Sequence, residues 1–198
     1  MTLDLADPIA VLLAATDALA NAGFEIAAYG GLALAAYGTP RETKDADLAV
    51  MTASGAEAAA AFAAAGIASL VAFDRVRFGG NRVTRLTLLP EAGASDLNTV
   101  DLVEPLSTRY ARDVIARAYS GILRDKRLRI VTPEDFVVMK VLSTRERDLE
   151  DAAGVLLALS DRMDRALVDR EVAELSREIH DHDVAARHQR LVQLVSSG

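Results

Sequence analysis

The chain contains no cysteine and no tryptophan among its 198 residues. The first absence excludes disulfides, thiolate metal sites and a cysteine nucleophile, so any metal must be held by oxygen or imidazole. It also fits a cytoplasmic setting. Aromatic residues make up only 5% of a composition that is 51% apolar, so the core must be aliphatic, and the excess of alanine favours helix. Long hydrophobic runs are missing too. The weakly polar stretch 56–71 carries Glu57 and is broken by Gly66, too short and too interrupted for a membrane span. Asp4 and Asp7 interrupt the first apolar stretch, which does not read as a secretory signal, so a soluble protein with no membrane partner is expected. Basic residues are in deficit, 22 against 29 acids for a net charge of −7. That balance argues against broad coating of nucleic acid, which needs local positive charge to release counterions. From Arg75 to Arg147, however, arginine is abundant; these side chains form either a local basic surface or a solvated face balanced by acids elsewhere.

The pattern of elements reads as α/β (α+β). Apolar residues at helical spacing predict a helix over 8–22, with Asp7 capping its first turn, Pro8 opening it and Gly23 stopping it. A short strand over 24–29 leads into Gly30-Gly31 and a helix over 32–37, and a strand follows over 45–51. Ser54 caps an alanine-rich helix that Gly66 closes. Strands are predicted from 68 to 78, 82 to 89 and 97 to 103, with a polar loop between the last two, extending a mixed sheet flanked by helices. A helix over 108–118 and a hairpin over 122–131 come next. Thr132-Pro133-Glu134-Asp135 is then a strong helix start, and the remainder reads as helical. Two regions follow: an α/β core over 1–131 and a C-terminal helical bundle over 132–198.

Chemistry concentrates in the run GGLALAAYGTPRETKDADLAV. On a strand, the two-residue period places Asp45 and Asp47 on one face and Ala46, Leu48 and Val50 on the other. Asp101, framed by apolar residues in NTVDLV, completes a three-carboxylate cluster if its strand neighbours the first. Mg²⁺ prefers hard oxygen ligands and takes a few carboxylates plus phosphate oxygens, and paired metal ions activate an attacking oxygen and neutralise a leaving pyrophosphate. The combination points to nucleotidyl transfer. Gly30 and Gly31, leaving a strand and opening a helix, allow backbone amides close to a phosphate. Arg41 and Lys44 precede the acidic strand, where a triphosphate needs cations.

This segment, 30–50, resembles the first motif of the DNA polymerase β-type nucleotidyltransferase superfamily: a glycine pair, a spacer of roughly ten residues, then Asp-x-Asp. Its wording is most similar to the small bacterial minimal nucleotidyltransferases and the abortive-infection type nucleotidyltransferase toxins of toxin–antitoxin systems. The resemblance implies Mg²⁺ at Asp45, Asp47 and Asp101, and triphosphate binding at Gly30 and Gly31. A second stretch, TPEDFVVMK followed by Arg145, Arg147, Asp148 and Asp151, resembles a later motif of the same proteins. It implies that Lys140 meets nucleotide phosphates and that Asp148 belongs to the active site, although the spacing between them is shorter than the toxin pattern. Independently, a lysine on the otherwise apolar helix 136–142 needs either a partner or a snorkelling path to solvent. The bland reading of Asp148 and Asp151 is a surface ion-pair network.

The implied activity is transfer of a nucleoside monophosphate from a nucleoside triphosphate to a transfer RNA or to a partner toxin or antitoxin protein. The rival is a noncatalytic nucleotide- or partner-binding member of such a pair. His180, Asp181, His182, Asp183 and His188 are expected to form a solvated tail rather than a metal site. No G-x-S-x-G elbow and no G-x-x-x-x-G-K-[ST] loop occur.

Overall fold

Residues 3–90 and 96–197 are described by the computed structural model, so most of the polar loop expected before residue 97 lies outside the described residues. Helix α1 (Pro8–Asn21) begins as its sequence dictates, with an Asp7 carboxylate oxygen accepting from the Ile9 and Ala10 amides. Strand β1 (Ile26–Tyr29) follows. The next helix, α2 (Gly30–Ala33), starts at the first glycine rather than at Leu32, and tightens at once into a 3₁₀ turn, Leu34–Tyr37. Strand β2 spans Ala46–Val50 and α3 spans Gly55–Ala64. Ser54 and Glu57 close a reciprocal capping box at the start of α3, a device worth about 1 kcal/mol.

A long hairpin of β3 (Ser69–Phe78) and β4 (Asn81–Leu88) leads to β5 (Asn98–Pro105) and α4 (Thr108–Arg117). The second hairpin, β6 (Tyr119–Leu123) and β7 (Lys126–Ile130), begins three residues earlier than its apolar pattern suggests. Helices α5 (Pro133–Val141), α6 (Glu146–Leu159), α7 (Arg165–Glu178) and α8 (Val184–Ser197) complete the chain.

The strands form one mixed seven-stranded sheet in the order β3-β4-β5-β2-β1-β7-β6. β2 runs antiparallel to β1 and parallel to β5. The alternation expected of β2 holds: Ala46, Leu48 and Val50 are all buried. On the same face of β5, Asn98 donates to the carbonyl of Leu5, so the N-terminal segment and α1 cover that side. The opposite face is closed by the C-terminal helices. There Phe136 of α5 packs against Tyr29 and Tyr37 with ring centroids 5.4 and 5.2 Å apart, and the Tyr37 hydroxyl donates to the Val131 carbonyl. The segment 180–183 is not a free tail. Asp181 is paired with Arg77, and the His182 ring lies 3.3 Å from the Val141 carbonyl oxygen and against Gly79.

Candidate active site

One register row of the sheet carries the chemistry. Tyr29 pairs with Asp47, Asp47 with Asp101, Asp101 with Arg85, and Arg85 with Phe73. Paired residues on adjacent strands present their side chains to the same face. The neighbouring-strand arrangement expected of Asp47 and Asp101 is therefore present, and Asp45 joins them from the end of the preceding loop. All three line a cavity of about 550 Å³ between the β2–β5 strands and the helices α5 and α6. Arg41, Lys44, Lys140, Arg145, Arg147 and Asp148 line it as well, so with the three acids nine of the ten charged residues singled out in the sequence from Arg41 to Asp151 surround one space. With Glu42, the lining holds five cationic and five acidic side chains.

Half of these charges are already engaged. Lys140 is buried, 3% exposed, with its ammonium 2.5 Å from Asp148 and 3.2 Å from Asp151. The same ammonium lies over the rings of Tyr29 and Phe136, 5.4 and 5.3 Å from their centroids, an attraction of about 1 kcal/mol or more when desolvated. Lys140 does not snorkel, and Asp148 and Asp151 are buried rather than part of a surface network. Burial pushes the Asp148 carboxyl up, but Lys140, Arg145 and Ser143 outweigh it and hold its pKa below the ordinary carboxylate value. Arg41 forks onto Asp151 at 2.8 and 3.0 Å, and Arg85 onto Asp101 at 2.7 Å twice. Lys44 and Arg147, by contrast, have no ion pair among the described residues.

Asp47 stands apart. Its side chain has no hydrogen bond or ion pair among the described residues. Burial, followed by repulsion from Asp101, raises its pKa from 3.8 to about 6, and Lys140 and Arg145 only partly offset the rise. It lies against Gly30, whose φ of +67° suits glycine and where a Cβ would lie 1.9 Å from Asp47 Oδ2. Gly31 is equally constrained, since a Cβ would meet the Thr43 side chain at 2.8 Å. Both glycines are buried. Their visible work is to seat Asp47 and the loop of Thr43, where the sequence suggested an open phosphate cradle.

Among the described residues no group of three acidic or histidine side chains stands as a ready-made metal cage. The donor set nevertheless fits a hard divalent cation. Asp47 and Asp101 are adjacent, Asp45 shares their cavity, and every candidate ligand is a carboxylate oxygen, with the remaining positions open to water and phosphate. Charge agrees with this, because a lining of five cations and five acids has no surplus to receive a triphosphate until positive charge is added. Arg85 is the part of this site that the motifs did not single out. Arg85 becomes visible only when the β4–β5 register places it opposite Asp101.

No protein-family profile matches the sequence, and no curated protein shows a significant match. Solved structures do. An antigenic nucleotidyltransferase-like protein from Paracoccidioides brasiliensis superposes with a TM-score of 0.50 at 16% identity, covering 94% of each chain. The antibiotic-resistance factor ANT(2'')-Ia in solution gives a TM-score of 0.48 at 15% identity over 88% of this chain and 97% of its own. Its complex with adenylyl-2''-tobramycin gives 0.47 at 13%, over 82% and 95%. The first of these likenesses establishes the architecture: the chain has a nucleotidyltransferase-like mixed α/β fold, with a seven-stranded sheet flanked by helices.

Proposed function

We propose that the protein is a Mg²⁺-dependent nucleotidyltransferase that moves a nucleoside monophosphate from a nucleoside triphosphate to a hydroxyl of an RNA, such as a transfer RNA, or of a partner protein. The observation that carries this reading is Asp47, seated on Gly30 beside Asp101 and Asp45 with no cation bonded to it and its pKa raised to about 6. Such a carboxylate is poised for a metal ion. Asp45, Asp47 and Asp101 would hold Mg²⁺, which would supply Lewis-acid charge to the reacting phosphate and acidify the acceptor hydroxyl. The chain's own side chains position the substrate: Arg41 and Lys44 from the loop before β2, and Lys140, Arg145 and Arg147 from the helices, surround the triphosphate. Asp148 holds Lys140 and Arg145 in place, and Gly30 and Gly31 bring the loop backbone close. The acceptor oxygen forms a bond to the α-phosphorus as the bond to pyrophosphate breaks, and the hydroxyl proton leaves to solvent. Positioning and charge neutralisation do the rest, as phosphoryl-type transfer requires little covalent help.

In this reading residues 1–131 form the catalytic core, and residues 132–198 form the helical region that delivers Lys140 and Asp148. The placement in a toxin–antitoxin pair rests on the resemblance of segment 30–50. A cytoplasmic location accords with the absence, among the described residues, of any helix long and apolar enough to cross a membrane. A second reading, a noncatalytic nucleotide- or partner-binding member of such a pair, is favoured by one feature: Arg85 grips both oxygens of Asp101.

Incubation with Mg²⁺ and each labelled nucleoside triphosphate, with total RNA or a co-expressed neighbouring protein as acceptor, separates the two. Label entering RNA or protein, and lost when Asp45 and Asp47 are replaced by alanine, supports transfer. Binding of nucleotide with no label in any acceptor supports the second reading.

A further inference from the structure

We propose that a second, smaller cavity, on the β3–β4 side of Asp101, is a pocket for a nucleobase. The proposal deepens the nucleotidyl-transfer reading and rests on it for its place in a reaction, while its chemistry is read from the walls alone. The cavity, about 230 Å³, shares Asp47 and Asp101 with the larger one. It is smaller than the space a drug-sized ligand needs and suits a single ring system. Its walls are Phe73, Phe78, Val83, Val103 and Tyr29, with Asn81 among them.

Two phenylalanines five positions apart on a regular strand would face opposite sides of the sheet. β3 is not regular. From Phe73 to Phe78 it spends five steps against the four from Arg85 to Asn81 on β4. The extra residue is absorbed by a bulge in which Arg75 adopts φ +50°. Both rings therefore reach the face of Arg85, Val83 and Asn81, with centroids 6.0 Å apart and planes tilted by 55°. The guanidinium of Arg85, held flat by its fork onto Asp101, lies 5.6 Å from the Phe73 centroid. Aromatic rings backed by an arginine plane make a surface on which a flat unsaturated ring stacks.

Asn81 adds a polar address. It is 4% exposed, and its amide nitrogen is committed to the Met139 carbonyl at 3.2 Å, which fixes which end is oxygen. That oxygen is buried and has no hydrogen-bond partner among the described residues, so a ring entering the cavity must press aside its neighbours to reach it. A ring N–H or exocyclic amine would satisfy it, as every nucleobase can and a plain hydrocarbon ring cannot. A polycation gains nothing here, because Arg85, Lys140 and Arg145 balance Asp47, Asp101 and Asp148 in the lining. The base belongs either to the donor triphosphate or to the terminal nucleotide of an acceptor RNA, and binding measurements separate the two.

The test uses the full chain with Mg²⁺ and measures binding of each nucleoside triphosphate, of inorganic tripolyphosphate, of free nucleosides and of a labelled single-stranded RNA. It compares the wild type with Phe78→Ala and Asn81→Leu, each checked for folding by its melting curve. Phe78 is 41% exposed, so its truncation leaves the fold intact. The expected result is a roughly tenfold loss for a base-bearing ligand with tripolyphosphate unchanged. Loss confined to triphosphates assigns the donor base, and loss confined to RNA assigns the acceptor's. Unchanged binding of both, or a peptide or polyamine whose binding alone depends on Phe78, overturns the proposal. If wild-type protein binds no tripolyphosphate, the nucleotidyl-transfer reading falls instead, and the free nucleosides still decide the cavity.

Discussion

Two clusters of arginine and carboxylate lie toward opposite ends of α5, at Asp135 and at Lys140, and they are built from the same materials. One staples α4 to α5 and α7: Arg117 joins Asp135 and Glu171, while Arg109 joins Asp113, Glu171, Glu174 and Glu178. The other surrounds the acidic row of β2 and β5. In the first, the most deeply buried acid is fully met, since Asp135 takes both prongs of Arg117 at 2.8 and 2.7 Å and the Thr132 hydroxyl at 2.9 Å. In the second, Asp101, Asp148 and Asp151 each have a cation and Asp47 has none. Burying charge is common to both clusters; a carboxylate with no cation paired to it among the described residues belongs only to the second. The unpaired carboxylate, and not the burial, separates a site from a staple.

Four measurements break or sharpen that contrast. The largest effect is expected from Asp47→Asn, which should lower the rate of label transfer on the order of 10³-fold by removing a metal-holding carboxylate from the reacting face. Single-turnover incorporation of labelled nucleotide measures it, and a mild loss would place Asp47 among the structural acids. Next comes Arg117→Ala. It strands Asp135 inside the staple and should cost about 3 kcal/mol of stability in urea unfolding, with transfer per folded molecule unchanged.

Third is the pH response of Asp47. A folded pKa of about 6 against the ordinary 3.8 means that the folded chain holds this proton more tightly than the unfolded chain. The stability it contributes is fully present below about pH 3.8 and is lost as pH rises through 6, a change of about 3 kcal/mol. Melting curves without Mg²⁺ should show the loss between pH 4 and 6. Added Mg²⁺ should raise the melting temperature at pH 7.5 and hardly at all at pH 5, and Asp47→Asn should flatten both trends. The smallest effect belongs to Arg77→Ala, whose exposed pairing with Asp181 should leave the melting temperature within error of the wild type.

Much of the fold was legible because it follows short-range rules. The caps at Asp7, Ser54 and Thr132 lie where their sequences place them, and the alternation from Ala46 to Val50 told which side of β2 is buried. The meeting of Asp47 with Asp101 was anticipated from their apolar frames alone. What stayed hidden depends on pairing between distant segments. Arg85 gains its role only opposite Asp101, and the five-residue spacing of Phe73 and Phe78 misleads until the bulge is known. Lys140 announced itself as an anomaly on an apolar helix, but its two carboxylate partners lie 8 and 11 residues away, across the turn into α6. The role of the glycine pair was read as openness to a ligand. The structure adds a second reason for it, close contact with Asp47 and Thr43 that leaves no room for a side chain.

The bulge in β3 also anchors a helix. Asp74, displaced by it, accepts from the Gly55 amide that opens α3 and from the Thr84 hydroxyl. Strand length and ring placement are thereby uncoupled: a chain one residue shorter at this point would pair regularly and still present both phenylalanines on the same side, but would forfeit the tether to α3. A deletion among natural variants is thus affordable here for molecular recognition, with its penalty falling on the scaffold behind the sheet.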